Sequence, residues 1–148
     1  MAGTNLFTYS ADSVIVQLGS FPVLPGKPDG TFLTITMPDL YRTVSGPDST
    51  TRARVGGHAE GELTLMASSP TWDLISSQIR KDSLGVGVGV FRMTVKDLSG
   101  TTLIVLPQCY FTKLPDIEFA HEVSERTVPF HGTVDYNQTI IGGSTAVF

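Results

Sequence analysis

Apolar and polar positions alternate with a period of two along most of this chain. Thr31–Met37 sets Leu33 and Ile35 on one face and Thr34 and Thr36 on the other, the pattern of a half-buried strand. His58–Met66 repeats it, with Leu63 and Leu65 opposite Glu60, Glu62 and Thr64. Ser13–Leu18 is β-branched and reads as a further strand. Gly85–Val95 predicts a strand with Val86, Val88 and Val90 on one face and glycines on the other, where another backbone approaches closely or the strand bends. Asp97-Leu98-Ser99-Gly100 is a hairpin turn into the apolar strand Thr101–Phe111. Beyond the break at Leu114-Pro115-Asp116, Ile117–Tyr136 reads as two strand segments. Ile117, Phe119 and Val123 alternate in the first, and Val128, Phe130, Val134 and Tyr136 in the second. One stretch has a helical period instead: Trp72, Ile75 and Ile79 form an apolar stripe, predicting a helix over about 70–82. Ser69 can cap it, Pro70 suits its first position, and Asp73, Arg80 and Lys81 suit its dipole. The sum is a mainly β fold, an antiparallel β-sandwich or barrel with one flanking helix.

The interruptions are as informative as the strands. Phe21–Gly30 is a turn region with three prolines and two glycines. Pro38–Gly57 is longer and predicts a protruding loop or hairpin. In it Tyr41–Val44 and Thr51–Val55 flank the turn Ser45-Gly46-Pro47-Asp48, and three of the ten basic residues, Arg42, Arg52 and Arg54, cluster there. Such a length without periodicity is uncommon in a compact domain and usually functional or disordered. Met1–Asp12 reads as an arm with Leu6, Phe7 and Tyr9 embedded in polar residues, and Asn137–Phe148 as a small-residue tail. All 148 residues together suit a single domain.

Composition narrows the function classes. Charged residues are only 16%, against about 25% in an average soluble domain, so part of the surface is expected to be covered by further copies of the chain. A net charge of −4 does not suit gripping nucleic acid, which needs clustered Lys and Arg. The single Cys109 excludes an internal disulfide, and in its apolar strand it reads as a buried thiol. No signal peptide and no membrane span are expected. His58, His121 and His131 stand in no metal-binding spacing and read as ordinary strand or rim histidines. Glu60 and Glu62 share a strand face, where surface charge is the simpler reading than a catalytic pair. The run GVGVGV lacks the phosphate-loop pattern, and no G-x-S-x-G occurs. No catalytic, metal or cofactor site is therefore expected, and no enzyme.

Four features together resemble a known family. They are the long loop at Pro38–Gly57, the segment GHAEGELTLMASSPTWDLISSQI (57–79), the hairpin around DLSG, and FTKLPDIEFAHEVSERTVPFHG (111–132). The strand–SSP–helix segment and Lys113–Ala120 are the most specific. The chain resembles, over Val14–Tyr136, the tail tube proteins of contractile-tailed bacteriophages, especially the short single-domain ones.

That resemblance implies hexameric rings stacked into a hollow tube, the conduit for DNA, with the inner sheets of the subunits joined round the channel. It implies an inter-ring role for Leu40, Tyr41, Arg42, Val44, Arg52 and Arg54 in the loop. Leu6, Phe7 and Tyr9 of the arm become a second contact. The implied partners are further copies of the chain, a tail sheath protein, and initiator, baseplate and terminator proteins. DNA would pass without specific binding, and the location would be the virion tail, assembled in the host cytoplasm. Glu60, Glu62 and Thr64 are then candidates for the channel wall, with Glu118 and Glu122 by the same alternation. Six copies at −4 place −24 in each ring, which repels phosphates. Alternatives are a tube subunit of a tailocin or type VI secretion system, and a β-sandwich binding or decoration module. Against a sugar binder, Tyr9, Tyr41, Tyr110 and Tyr136 are scattered and Trp72 lies on the helix stripe.

Overall fold

The computed structural model describes residues 7–23, 26–28, 30–143 and 146–147, with 7–8 and 146–147 as backbone alone. Eleven strands and one helix follow in the order β1 (Phe7–Thr8), β2 (Val14–Leu18), β3 (Phe21–Pro22), β4 (Leu33–Thr36), β5 (Tyr41–Ser45), β6 (Thr50–Arg54), β7 (His58–Met66), α1 (Thr71–Leu84), β8 (Phe91–Asp97), β9 (Leu103–Phe111), β10 (Glu125–Thr133) and β11 (Ala146–Val147). The fold is mainly β and antiparallel, with a single α-helix among the described residues besides one 3-10 turn at Ala11–Ser13, as the alternation predicts.

Seven strands form one sheet in the order β3-β2-β8-β9-β10-β7-β4. Their inward residues meet in one cluster. Val16 and Leu18 come from β2, Met93 and Val95 from β8, Leu106 and Cys109 from β9, Val128 and Phe130 from β10, and Leu63 and Leu65 from β7. Trp72 and Ile75 of α1 join that cluster and Ile79 packs against it, so the predicted apolar stripe is the helix's inner face. Trp72 Nε1 donates to the Met66 carbonyl (2.9 Å), tying the helix to the end of β7. The Thr71 N–H donates to Ser69 Oγ (3.3 Å) at the helix start.

The sheet is not a closed barrel, since its end strands β3 and β4 do not pair with each other. The stretch before β4 spans the two flanks instead. Lys27 Nζ donates to the carbonyls of Ala11 (3.1 Å) and Val14 (2.8 Å), beside β2. Gly26 and Phe32 carbonyls accept from Met66 and Thr64 of β7.

Two elements differ from the alternation pattern. Gly85–Val95 does not run as one strand: α1 extends to Leu84 and β8 begins only at Phe91. Gly87 lies at φ +78, and a side chain at Gly89 would collide with Asp82, so these glycines turn the chain back on the helix. Val86, Val88 and Val90 are exposed as a result. Likewise Ile117–Val123 forms no strand. Both ladder edges of β10, the strand that follows, are already taken by β7 and β9, and among the described residues this run enters no ladder.

Cys109 is fully buried on the inner face of β9, and burial pushes its thiol from 9.0 up to about 12, a backbone hydrogen bond with Met93 opposing only part of the rise. The protonated form is therefore favoured by folding. This contribution is whole below pH 9.0 and is lost as pH rises toward about 12. A disulfide-exchange reagent at about pH 8 is expected to leave the native thiol unlabelled and to label it on unfolding. Cys109→Ala is expected to flatten the decline in stability between pH 9.0 and about 12, read from denaturant melts.

Candidate functional site

Two surfaces gather the residues singled out from the sequence. The first is a hairpin that stands apart from the main sheet. Among the described residues strands β5 and β6 pair only with each other, from Tyr41↔Arg54 to Ser45↔Thr50, and Gly46 N–H donates to the Ser49 carbonyl (2.7 Å) across the turn. The register sorts its side chains. Tyr41, Thr43, Arg52 and Arg54 share one face; Arg42, Val44, Thr51 and Ala53 share the other. Arg52 lies over the Tyr41 ring, with Cζ 4.1 Å from its centre. Tyr41 and Val44 are each nearly half exposed, and Leu40 is exposed at the base. Among the described residues none of the three arginines enters an ion pair. Three arginines against Asp48 give the hairpin +2, so the other seven basic and thirteen acidic residues give the rest of the chain −6.

The second surface is the outer face of the main sheet. β7 and β10 share nine consecutive pairs, from Glu125↔Met66 to Thr133↔His58. Because opposed residues in an antiparallel ladder point to one side, His58, Glu60, Glu62 and Thr64 lie beside Thr127, Pro129, His131 and Thr133. Thr34 and Thr36 of β4 and Tyr110 of β9 extend the face. Thr64 Oγ1 and Thr127 Oγ1 are 2.9 Å apart and hydrogen-bonded. Apart from Pro129 the face is polar, because the core takes the intervening Ala59, Leu63, Leu65, Val128 and Phe130.

The chain thus brings Glu60, Glu62 and Thr64 onto one face as predicted from alternation. It does not place Glu118 and Glu122 there by strand alternation, because the segment that holds them is irregular. Both are exposed, and the Glu118 carbonyl accepts from Ser124 Oγ (3.3 Å). Of the arm residues, Tyr9 is exposed, Phe7 is described only as backbone paired with Val147, and Leu6 lies outside the described residues.

One constellation escaped the reading of spacings. His58 Nε2 and His131 Nδ1 approach to 3.1 Å, their rings set edge to face at 74°. Glu60 Oε1 lies 3.9 Å from His131 Nε2. His58 and His131 are 73 residues apart in sequence, so no local motif could reveal them; the signal was the matching outward phase of two strands whose pairing was unknown.

No family model matches the sequence, and no curated protein does. The fold itself recurs in chains of two solved particles. One is the cap that terminates the tube of an anti-feeding prophage, solved by cryo-electron microscopy. It has a TM-score of 0.59 at 11% identity, over 90% of this chain and 92% of that one. Another comes from the virion of a native gene transfer agent particle, with a TM-score of 0.56 at 14% identity, over 95% of this chain and 99% of that one.

Proposed function

We propose that this chain is a structural subunit of a phage tail or tail-derived particle, and that it forms hexameric rings that stack into the inner tube. The observation that carries the reading is the hairpin β5–β6. It is a basic, partly apolar arm with a ladder of its own, attached to an acidic body, and such an arm has its natural complement on the next copy. The shared fold with a tube-terminating cap and a gene transfer agent virion supports the same class.

The unpaired apolar run fits this reading. Ile117, Phe119 and Val123 are all exposed, Phe119 at 87%, although their spacing is that of a strand, and Leu114 before them is exposed as well. A neighbouring subunit in the ring supplies the missing ladder edge and cover. In the same assembly the polar face with Glu60, Glu62 and Thr64 turns to the channel, where carboxylates and hydroxyls offer phosphates no forked donors. Sheath, initiator and terminator proteins are the further partners of such a tube, and DNA its transient passenger.

A second reading is favoured by the neighbour that is itself a cap: a subunit that closes a tube as a single ring. Electron microscopy of the purified protein separates the two. Stacked hollow tubes are the expected result, and a map at side-chain resolution should place Glu60 and Glu62 on the channel wall. Single rings that never stack, at any concentration, would establish the cap instead. Monomers that join neither themselves nor a tail initiator would remove both.

A further inference from the structure

We propose that His58, His131 and Glu60 form a binding site for a divalent transition-metal ion, of which zinc is the type, on the outer face of the β7–β10 ladder. The inference rests on this cluster alone and holds whether or not the chain builds a tube.

Three positions converge because of register. Glu60 opposes His131 directly, and His58 lies two residues before Glu60 on the same side of β7. One ligand atom from each residue falls within 4.8 Å of the others. The backbone beneath them is fixed: Val134 N–H donates to the Gly57 carbonyl (3.2 Å), and the Tyr136 ring lies so close over Gly57 that a side chain there would meet it at 2.9 Å. His58 therefore leaves a pinned strand end, and His131 stands in mid-ladder with β7 on one side and β9 on the other. Tyr110 walls the site from β9, its ring centre 5.9 Å from that of His131. His58 and Tyr110 also line a cleft of about 400 Å³ beside the cluster, and His58 and Glu60 are themselves exposed, so an ion reaches them from solvent.

The distances suit one ion. Two imidazole nitrogens 3.1 Å apart can both sit about 2.1 Å from a metal, at an N–metal–N angle of roughly 95°, close to the octahedral value and below the tetrahedral one. Without metal that short contact needs one proton between the rings, with one nitrogen donating and the other accepting. On binding, the donor ring carries its proton on its other nitrogen, so both facing nitrogens become ligands and the neutral pair loses no proton. The Glu60 carboxylate swings in as the third ligand and offsets part of the ion's charge. Two imidazoles with a carboxylate select zinc, nickel, cobalt or copper over calcium and magnesium, which prefer all-oxygen sets. Bound ion clips the open end of β7 to β10.

The test uses tag-free full-length protein and zinc chloride, with cobalt(II) as an optical probe. Calorimetry is expected to give one equivalent per chain, and saturating zinc to raise the thermal midpoint by about 5 °C. His58→Gln, His131→Gln and Glu60→Gln are each expected to weaken binding by at least about tenfold. His121→Gln, at the remaining histidine, should leave it unchanged. In the wild-type protein, imidazole ¹H–¹⁵N spectra should show zinc shifting His58 and His131 and not His121, a result independent of how the variants fold. No binding up to about 1 mM zinc, or affinity untouched by His58→Gln and His131→Gln, would overturn the site.

Discussion

Tyr41→Asp combined with Val44→Asp is expected to give a folded monomer that no longer assembles at wild-type concentrations. The two side chains lie on opposite faces of the hairpin and are 46% and 48% exposed in the free chain. Covering what remains of each contributes about 0.7–1.4 kcal/mol, just under half of the usual 1.5–3 kcal/mol for complete burial of a large apolar side chain. The substitutions also add two negative charges, taking the hairpin from +2 to 0 and removing its attraction to an acidic neighbour. The apolar loss alone, about 1.4–2.8 kcal/mol per contact, raises the concentration needed for assembly by roughly 10- to 100-fold. Stability of the monomer should change by less than about 0.5 kcal/mol, because β5 and β6 pair only with each other and neither residue belongs to the core. Sedimentation across a concentration series, with a thermal melt of the same samples, reads both quantities. Tubes from the double variant at the wild-type threshold would sink the inter-ring role of the hairpin.

Much of this fold is legible as period. The alternation of β4 and β7, the stripe of α1 and the buried Cys109 follow from burial of one face against one core, and a local pattern records that directly. Two kinds of feature do not follow. The first is alternation without a partner: Val86, Val88 and Val90, like Ile117, Phe119 and Val123, have the right spacing for strands, but strand formation needs an edge to pair with. Gly87 and Gly89 spend their freedom on a turn instead. The second is proximity across a ladder. Glu60 is legible as part of one face of β7, yet its meeting with His58 and His131 depends on a register that no single segment contains. The hairpin sits between these cases. Its turn and flanking strands are legible at Ser45–Asp48, whereas the stacking of Arg52 on Tyr41 depends on their diagonal placement across two strands.

The largest effect on stability is expected where β7 and β10 touch most closely. Gly61 lies directly opposite Phe130, whose ring covers the bare backbone of the facing strand. A side-chain carbon at Gly61 would stand 2.5 Å from Phe130 Cζ and 2.5 Å from the Thr34 carbonyl oxygen of β4. Neither neighbour yields at low cost. Phe130 is fully buried in the core, and Thr34 belongs to the edge strand that pairs there with β7. Gly61→Ala is therefore expected to cost about 2–3 kcal/mol, at the upper end for overpacking, and to loosen β4, whose ladder among the described residues is with β7 alone. Phe130→Ala acts in the opposite sense, by opening a cavity, and is expected to cost about 3–5 kcal/mol. That is a large part of the 5–15 kcal/mol typical of a domain. Gly61→Ala with Phe130→Leu should be less destabilising than the two single changes summed, because the shorter side chain relieves one of the two collisions while the Thr34 carbonyl retains the other. Denaturant melts of the four proteins measure the coupling. Strict additivity would show that the ring and the glycine do not share the space, and amide exchange in Leu33–Thr36 that is unchanged in Gly61→Ala would show that β4 bears none of the strain.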